Sequence, residues 1–376
     1  MNPQKAKSKN IPSATAKLPT PFLLVEEEIL HANILRIHAY AHQHGFAVRP
    51  HVKTHKSLTI GRMQMEEGAV GITVAKEEEA HIMSAIANKD ITVAYPALGD
   101  YRTDRLAELS LQHNIRVAAD SKYALDELAR AAKKHQTVMG ILIIFDAGLH
   151  RCGLSAPKEV VNLARYAHDH PQLRFDGIQM YLGQLYGDPA RDPTRFAEIN
   201  RDWEKVYQTL CHKGLKPQTV SSGSTPSLFN THLVSHITEI RVGTAYLNDY
   251  FVVKFDHCAI EACAAKVVAQ VVSNAVSGQV IIDAGSKALS AKQLLSYETL
   301  EMGYILEYPQ ARIFRLHEEH GWIDVSRCPE PPRLGERLTI IPVNVALCMN
   351  LYNHFYLLTC NGKVRREKVH ARGCCV

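Results

Sequence analysis

The chain has 376 residues, 46% of them hydrophobic and 22% charged, with a formal net charge of +5. This is the composition of a globular protein of two or three domains around a large core. The small charge excess gathers near the two ends, at Lys5, Lys7, Lys9 and Lys17 and at Arg365, Arg366, Lys368 and Arg372. No basic stripe interleaved with aromatics runs through the chain, so no nucleic-acid partner is expected. No apolar run approaches the roughly 18 residues of a membrane span, so no membrane partner is expected either. Residues 1–18 lack the apolar centre of a secretory signal and read as a disordered tail. The cysteines are scattered, which suggests reduced thiols and a cytoplasmic location. The vicinal pair Cys374-Cys375 reads as an exposed end.

In chain order, apolar spacing predicts a helix over 26–45 that ends at Gly45, then a short strand over 46–50. A helix over 57–67 and a strand over 70–75 follow, then a helix over 76–88 and a strand over 91–95. Helices near 102–113 and over 121–135 flank a strand over 115–119. The run MGILIIF at 139–145 is a strand, followed by a helix near 157–169. A strand over 175–182 precedes a long helix over 190–213, and strands are expected over 219–221 and 239–243. These strands are near-continuous apolar runs, as parallel strands buried on both faces should be. The count and spacing fit a (β/α)8 TIM-like barrel. A doubly wound sheet competes, but no Gly-rich dinucleotide turn follows the first strand.

Beyond residue 252 the texture changes to β-rich runs separated by turns such as Asn361-Gly362. The expected domains are a barrel over 19–251 and an antiparallel β domain over 252–376, with 19–25 able to add a strand to the latter.

In a barrel, reactive groups sit where strands end. Five segments at such positions are rich in functional side chains. In R-P-H-V-K-T-H-K at 49–56, Lys53 leaves the end of strand one. Crowded by Arg49, Lys56, His51 and His55, its ammonium would be disfavoured, which favours imine formation. A solvated basic loop is the plainer reading of this cluster alone. In DAGLHRCG at 146–153, Arg151 would hang over the barrel mouth. In GIQMYLG at 177–183, alternation puts Gln179 and Tyr181 on one side. In SSGSTP at 221–226, Ser222, Gly223, Ser224 and Thr225 offer small residues and N–H groups to a phosphate. Gly243, Thr244 and Tyr246 could complete that cup. A lysine for an aldehyde and a cup for a phosphate together describe a pyridoxal 5'-phosphate site.

These segments resemble the alanine-racemase-type, fold type III pyridoxal phosphate enzymes, and within them the D-threonine aldolase / D-serine dehydratase family. RPHVKTHK is similar to that family's cofactor-lysine motif and implies Lys53 as the Schiff-base residue. GIQMYLG matches its strand-six motif, with Tyr181 near the cofactor, and HRCG the segment whose arginine approaches the pyridine ring. DAGSKALS at 283–290 and HEEHG at 317–321 match two motifs of its C-terminal domain. The resemblance implies a small amino acid as substrate, a homodimer, and aldolase or ammonia-lyase chemistry on D-amino acids. Candidate bases are His51, His55 and Tyr181.

One departure stands out. The family carries P-N-H-x-C or P-N-H-x-D, whose His and Cys or Asp bind a divalent metal. Aligned on Pro342 and Asn350-Leu351, those positions here hold Asn344 and Ala346. Alanine has no donor and asparagine is a poor ligand for zinc. No metal is therefore expected, unless Cys348 and His354 form a displaced site. Loss of a Lewis acid leaves two alternatives open beside the lyase: a metal-independent racemase or epimerase, and a non-catalytic binder of the cofactor.

Overall fold

The computed structural model of the chain describes residues 12–86, 90–185, 193–296 and 299–375. It divides into two compact units.

The first unit holds residues 34–243 together with 373–375. β1 (Phe22–Glu26) and the start of α1 (Glu27–Gln43) lie outside it; the barrel itself begins with β2 (Ala47–Val48). Its other strands are β3 (Ile72–Val74), β4 (Asp90–Val93), β5 (Asn114–Ala119), β6 (Met139–Phe145), β7 (Leu173–Met180), β8 (Thr219–Ser222) and β9 (Glu239–Ile240). All eight pair in parallel in one sheet, ordered β2-β9-β8-β7-β6-β5-β4-β3. A bridge from His51 to Thr73 and the bond from Val70 N to the Val48 carbonyl at 2.9 Å join the two ends, closing the (β/α)8 barrel. Its interior is as apolar as the runs predicted; all seven residues of β6 are buried. Between the strands run α2 (Leu58–Glu66), α3 (Glu77–Met83), α4 (Asp100–Leu109), α5 (Lys122–Lys134), α6 (Pro157–Asp169) and α7 (Pro193–His212).

The second unit holds residues 12–33 and 244–372. Its helices are α8 (Tyr250–Lys254), α9 (Ser286–Leu289) and α10 (Val345–Met349). Its strands are β10 (Ala265–Ser273), β11 (Gln279–Ile282), β12 (Leu294–Ser296), β13 (Thr299–Glu301), β14 (Tyr304–Ile305), β15 (Arg312–Leu316), β16 (Gly321–Asp324), β17 (Arg337–Ile341), β18 (His354–Leu358) and β19 (Val364–Lys368). β1 joins them, antiparallel to β10 and parallel to β18, so the segment 19–25 contributes its strand here. The single parallel pair makes this sheet mixed rather than purely antiparallel.

Two expectations change. Residues 12–18 are not a loose tail: Thr15 is buried, and Arg337 donates to the Thr15 and Leu18 carbonyls at 3.0 and 2.7 Å. Residues 1–11 lie outside the described residues. The strand expected over 239–243 is regular only over Glu239–Ile240, although Arg241 N still donates to the Ser222 carbonyl at 3.0 Å and the Val242 carbonyl accepts from His51 N at 2.8 Å.

Candidate active site at the barrel mouth

The chain leaves β2 through Pro50 and makes a single 3-10 turn, Val52–Thr54. The amides of His55 and Lys56 close it by donating to the Val52 carbonyl at 3.2 and 2.8 Å. Val52 and Thr54 are buried, so the turn is fixed from below, while the Lys53 side chain is exposed to solvent. The wall around it lowers the lysine pKa by desolvation, and Arg151 and Arg241 lower it further. The cause differs from the expected one. Arg49 turns the other way, its Nε on Glu239 at 2.7 Å and its Nη1 on Asp90 at 3.0 Å, so its charge is spent on partners at the opposite strand ends.

His51 is 7% exposed, and its Nδ1 is buried without a hydrogen-bond partner. Burial first, then Lys53 and Arg241, push its pKa well below the ordinary range, so the ring is neutral. His55 is different. It is fully buried; its Nδ1 accepts from Ser57 N at 3.1 Å and its Nε2 faces Gln64 Oε1 at 3.3 Å. With both nitrogens engaged inside the protein, it holds the turn and does not face the mouth.

The loop after β6 is built around Asp146. Its Oδ1 accepts from the amides of Gly148 and His150, each at 3.0 Å, and its Oδ2 pairs with His150 Nδ1 at 2.9 Å. Gly153, at φ 108, is required here: a Cβ would lie 2.8 Å from Asp146 N. This frame presents Arg151, whose guanidinium carbon lies 4.6 Å from the centre of the Tyr181 ring. Tyr181 stands just past β7, and Gln184 ties the same loop to the Ala147 carbonyl at 2.5 Å. Gln179, one strand position inside, is 5% exposed with an unpartnered Oε1.

The loop after β8 carries the residues expected to form a cup. Ser222 is fully buried, and its hydroxyl has no partner. Gly223, at φ 110, has nothing nearer than 3.5 Å to where a Cβ would stand. The Ser224 hydroxyl is occupied, donating to the Leu182 carbonyl at 3.1 Å and bonded to Ser227 Oγ at 2.8 Å, so only its backbone is left for a ligand. Thr225 is half-buried beside it. Gly243 touches the lysine turn: a Cβ there would lie 2.6 Å from Thr54 Oγ1 and 2.9 Å from the His51 carbonyl. Thr244 and Tyr246 belong to the second unit. There Tyr246 is fully buried, and its hydroxyl has no partner among the described residues.

Sequence reasoning missed Arg241. It is 5% exposed, its Nη2 donates to the Met180 carbonyl, its Nε has no partner, and burial lowers its pKa to about 10. The signal available was an arginine two residues before Gly243, at the end of a strand. At the metal-binding positions of the resembling family, Asn344 Oδ1 accepts from Leu347 N at 2.9 Å and so caps α10. Cys348 is fully buried with its Sγ on the Ala288 carbonyl at 3.2 Å, and His354 Nδ1 meets Arg366 at 3.2 Å. Among the described residues, no three or more His, Cys, Asp or Glu side chains gather as metal ligands would.

Lys53, Arg151 and Arg241 thus set a positive field over neutral His51, and Gln179 Oε1, Ser222 Oγ, Arg241 Nε and His51 Nδ1 at the same strand ends are buried with no hydrogen-bond partner among the described residues. Buried polar atoms are rarely left unpaired. Several together at the C-terminal ends of barrel strands suit a polar, anionic ligand, and a phosphate-bearing heteroaromatic aldehyde fits them.

Residues 25–250 match the family model "Alanine racemase, N-terminal domain", and residues 264–358 match "Putative serine dehydratase domain". The D-threonine aldolase of Arthrobacter sp. is 29% identical over 346 residues, covering 90% of this chain and 88% of that protein. The 3-hydroxy-D-aspartate aldolase of Paracoccus denitrificans (strain Pd 1222) is 27% identical over 377 residues, covering 95% and 93%. The crystal structure of D-threonine aldolase from Filomicrobium marinum superposes with a TM-score of 0.87 at 26% identity, covering 97% of this chain and 98% of that one. The chain belongs to the alanine racemase N-terminal domain family, in the group with a serine dehydratase domain behind the barrel, and its cofactor is pyridoxal 5'-phosphate.

Proposed function

We propose that this pyridoxal phosphate-dependent lyase acts on D-amino acids bearing a β-hydroxyl, by retro-aldol cleavage or by loss of water and ammonia, and works without a divalent metal. The substrate class follows its relatives, which are named as aldolases and dehydratases of D-threonine, D-serine and 3-hydroxyaspartate. The observation that carries the site is Lys53 on a rigid turn at the end of β2, within electrostatic reach of Arg151 and Arg241. Lys53 would anchor the cofactor. Ser222, Arg241 and Gln179 would hold its polar atoms, with the Gly223–Thr225 backbone and Gly243 around the phosphate; Thr244 and Tyr246 follow Gly243 in sequence. Bound pyridoxal phosphate supplies an aldehyde for an amine and an electron-withdrawing ring beyond it.

The chain's own groups do the rest. Burial and the nearby arginines lower the Lys53 pKa, so its amine gives up a proton more readily than an ordinary lysine, which favours attack and later proton exchange. Neutral His51, with Nδ1 open, can accept a proton at the same end of the barrel. The arginines orient a carboxylate. The Tyr181 ring beneath Arg151 closes one side against water. The metal-free character rests on Asn344 and Ala346. One caps a helix, and the other has no donor atom. Homodimerisation is part of the same reading, and the mass in solution by light scattering should be twice that of the chain.

The test is the visible spectrum of purified protein with pyridoxal phosphate, wild type beside Lys53→Ala, followed by D- and L-β-hydroxy amino acids with Mn²⁺ or with chelator. Wild type should show the band of protein-bound cofactor and Lys53→Ala should lack it. D-substrates should be consumed at the same rate in chelator as with metal. A chelator-sensitive rate would contradict the metal-free reading. No band in wild type would remove the site assignment.

A further inference from the structure

Three residues after Lys53 stands Lys56, an unusual lysine. Its backbone lies in the left-handed region, at φ 49, and the residue is 8% exposed. Side chains rarely adopt that conformation, and lysines are rarely buried unless paired. Its Nζ donates to the Cys374 carbonyl at 3.2 Å, a contact spanning 318 residues of sequence. Residues 373–375 leave the second unit and pack with the barrel unit. Val369 and Ala371 are buried just before them, and Gly373 turns the chain at φ 77. The Cys374 thiol, half-buried rather than loose, lies within electrostatic reach of Glu78 and Glu79 of α3 and of Lys56.

Glu79 completes the arrangement. It has no exposed surface; its Oε2 accepts from Ala75 N at 2.6 Å and its Oε1 is buried without a hydrogen-bond partner. Both Lys53 and Lys56 lie within its electrostatic reach. The lysine turn is therefore tied at Lys56 to a backbone carbonyl from a distant part of the chain, with a buried acid of α3 within electrostatic reach.

We propose that residues 373–375 act as a latch on the turn that carries Lys53. The Cys374 carbonyl fixes Lys56, and Lys56 fixes the 52–56 turn in the orientation cofactor binding requires. Lys56 and the 373–375 segment are positioning groups; neither touches the reacting atoms. The inference rests on the reading of Lys53 given above. It adds that retention of the cofactor depends on a segment that no barrel strand or loop supplies.

The experiment compares wild type, a chain ending at Arg372, Lys56→Met and Cys375→Ser, with Lys53→Ala alongside. Hydrogen exchange of cofactor-free protein reads the turn directly, and the loss of the visible band on dilution reads cofactor retention. The shortened chain and Lys56→Met should exchange faster at His55 and Lys56 and lose cofactor about tenfold faster. Cys375→Ser, which alters only an exposed thiol and leaves in place the Cys374 carbonyl that carries the latch, should match wild type. Faster exchange throughout the barrel would indicate general destabilisation and overturn the latch; a rise confined to residues 52–56 supports it. Wild-type exchange and retention in both altered proteins would also overturn it. If the shortened chain fails to fold, Lys56→Met decides by itself. A wild-type band in Lys53→Ala would instead refute the reading of Lys53, so the two failures are distinguishable.

Discussion

His51 and His55 stand on the same turn and meet opposite surroundings. His51 faces the barrel mouth with one nitrogen open, whereas His55 spends both nitrogens on Ser57 and Gln64. Burial lowers the His55 pKa from 6.5 to about 4, so the folded protein resists a proton that the unfolded chain accepts. A depressed histidine contributes its stability fully above the unfolded value and loses it as pH falls from about 6.5 toward about 4. Between pH 7 and pH 5 the loss from this one group is about 2 kcal/mol. Urea denaturation at the two pH values should show it, and His55→Gln should flatten that part of the profile. The sequence could offer both imidazoles as candidates but could not separate them, because the difference lies in Gln64 and in burial. Lys53, Arg151 and Tyr181 were legible because each follows a strand end in the chain. Arg241 was hidden inside a strand expected to be longer than it is, and in-strand residues read as packing.

Elements are tied together at the other end of the barrel by charge. Arg49, after β2, pairs with Glu239 at the start of β9 and with Asp90 at the start of β4. Arg116 of β5 also meets Asp90, at 2.6 Å. Arg49 and the Glu239 side chain are almost completely buried, at 2% and 4% exposed. Removing one partner from a buried pair strands the other charge, at a cost of about 3–5 kcal/mol. Arg49→Met should therefore lower the urea midpoint by that equivalent, while the fraction that folds keeps the visible band of bound cofactor. A band lost in fully folded Arg49→Met would instead place Arg49 in the site. None of these pairings was readable, since the partners lie 41 and 190 residues from Arg49. The helix expected over 121–135 runs over Lys122–Lys134, with Ser121 just outside it as a cap, its hydroxyl accepting from Ala124 N at 3.2 Å. The helix expected over 76–88 stops at Met83 and tightens to a 3-10 turn over Ser84–Ile86, with the Ser84 hydroxyl on the His81 carbonyl at 2.7 Å. Such back-bonding competes with the helical ladder. Residues 87 and 88 of that expected helix lie outside the described residues.

Over the whole molecule, the barrel was legible because parallel strands buried on both faces leave continuous apolar runs at regular intervals. The second unit was legible as β-rich, but its pairing order was not. Short strands with similar composition can be joined in many orders, and long-range registry leaves no local trace. The clearest case is β1, which sits between β10 and β18 and pairs Leu24 with Lys266 on one side and with Tyr356 on the other. During synthesis, Phe22-Leu23-Leu24-Val25 emerges first and its last partner nearly at the end. At about 5–20 residues per second, the ribosome takes tens of seconds to deliver that partner. Through that interval the barrel strands can complete their own sheet, while an apolar strand waits with both edges unpaired until β10 arrives and with one edge unpaired thereafter. The nascent chain thus carries a long-lived adhesive segment ahead of the barrel, a natural target for chaperone binding during translation.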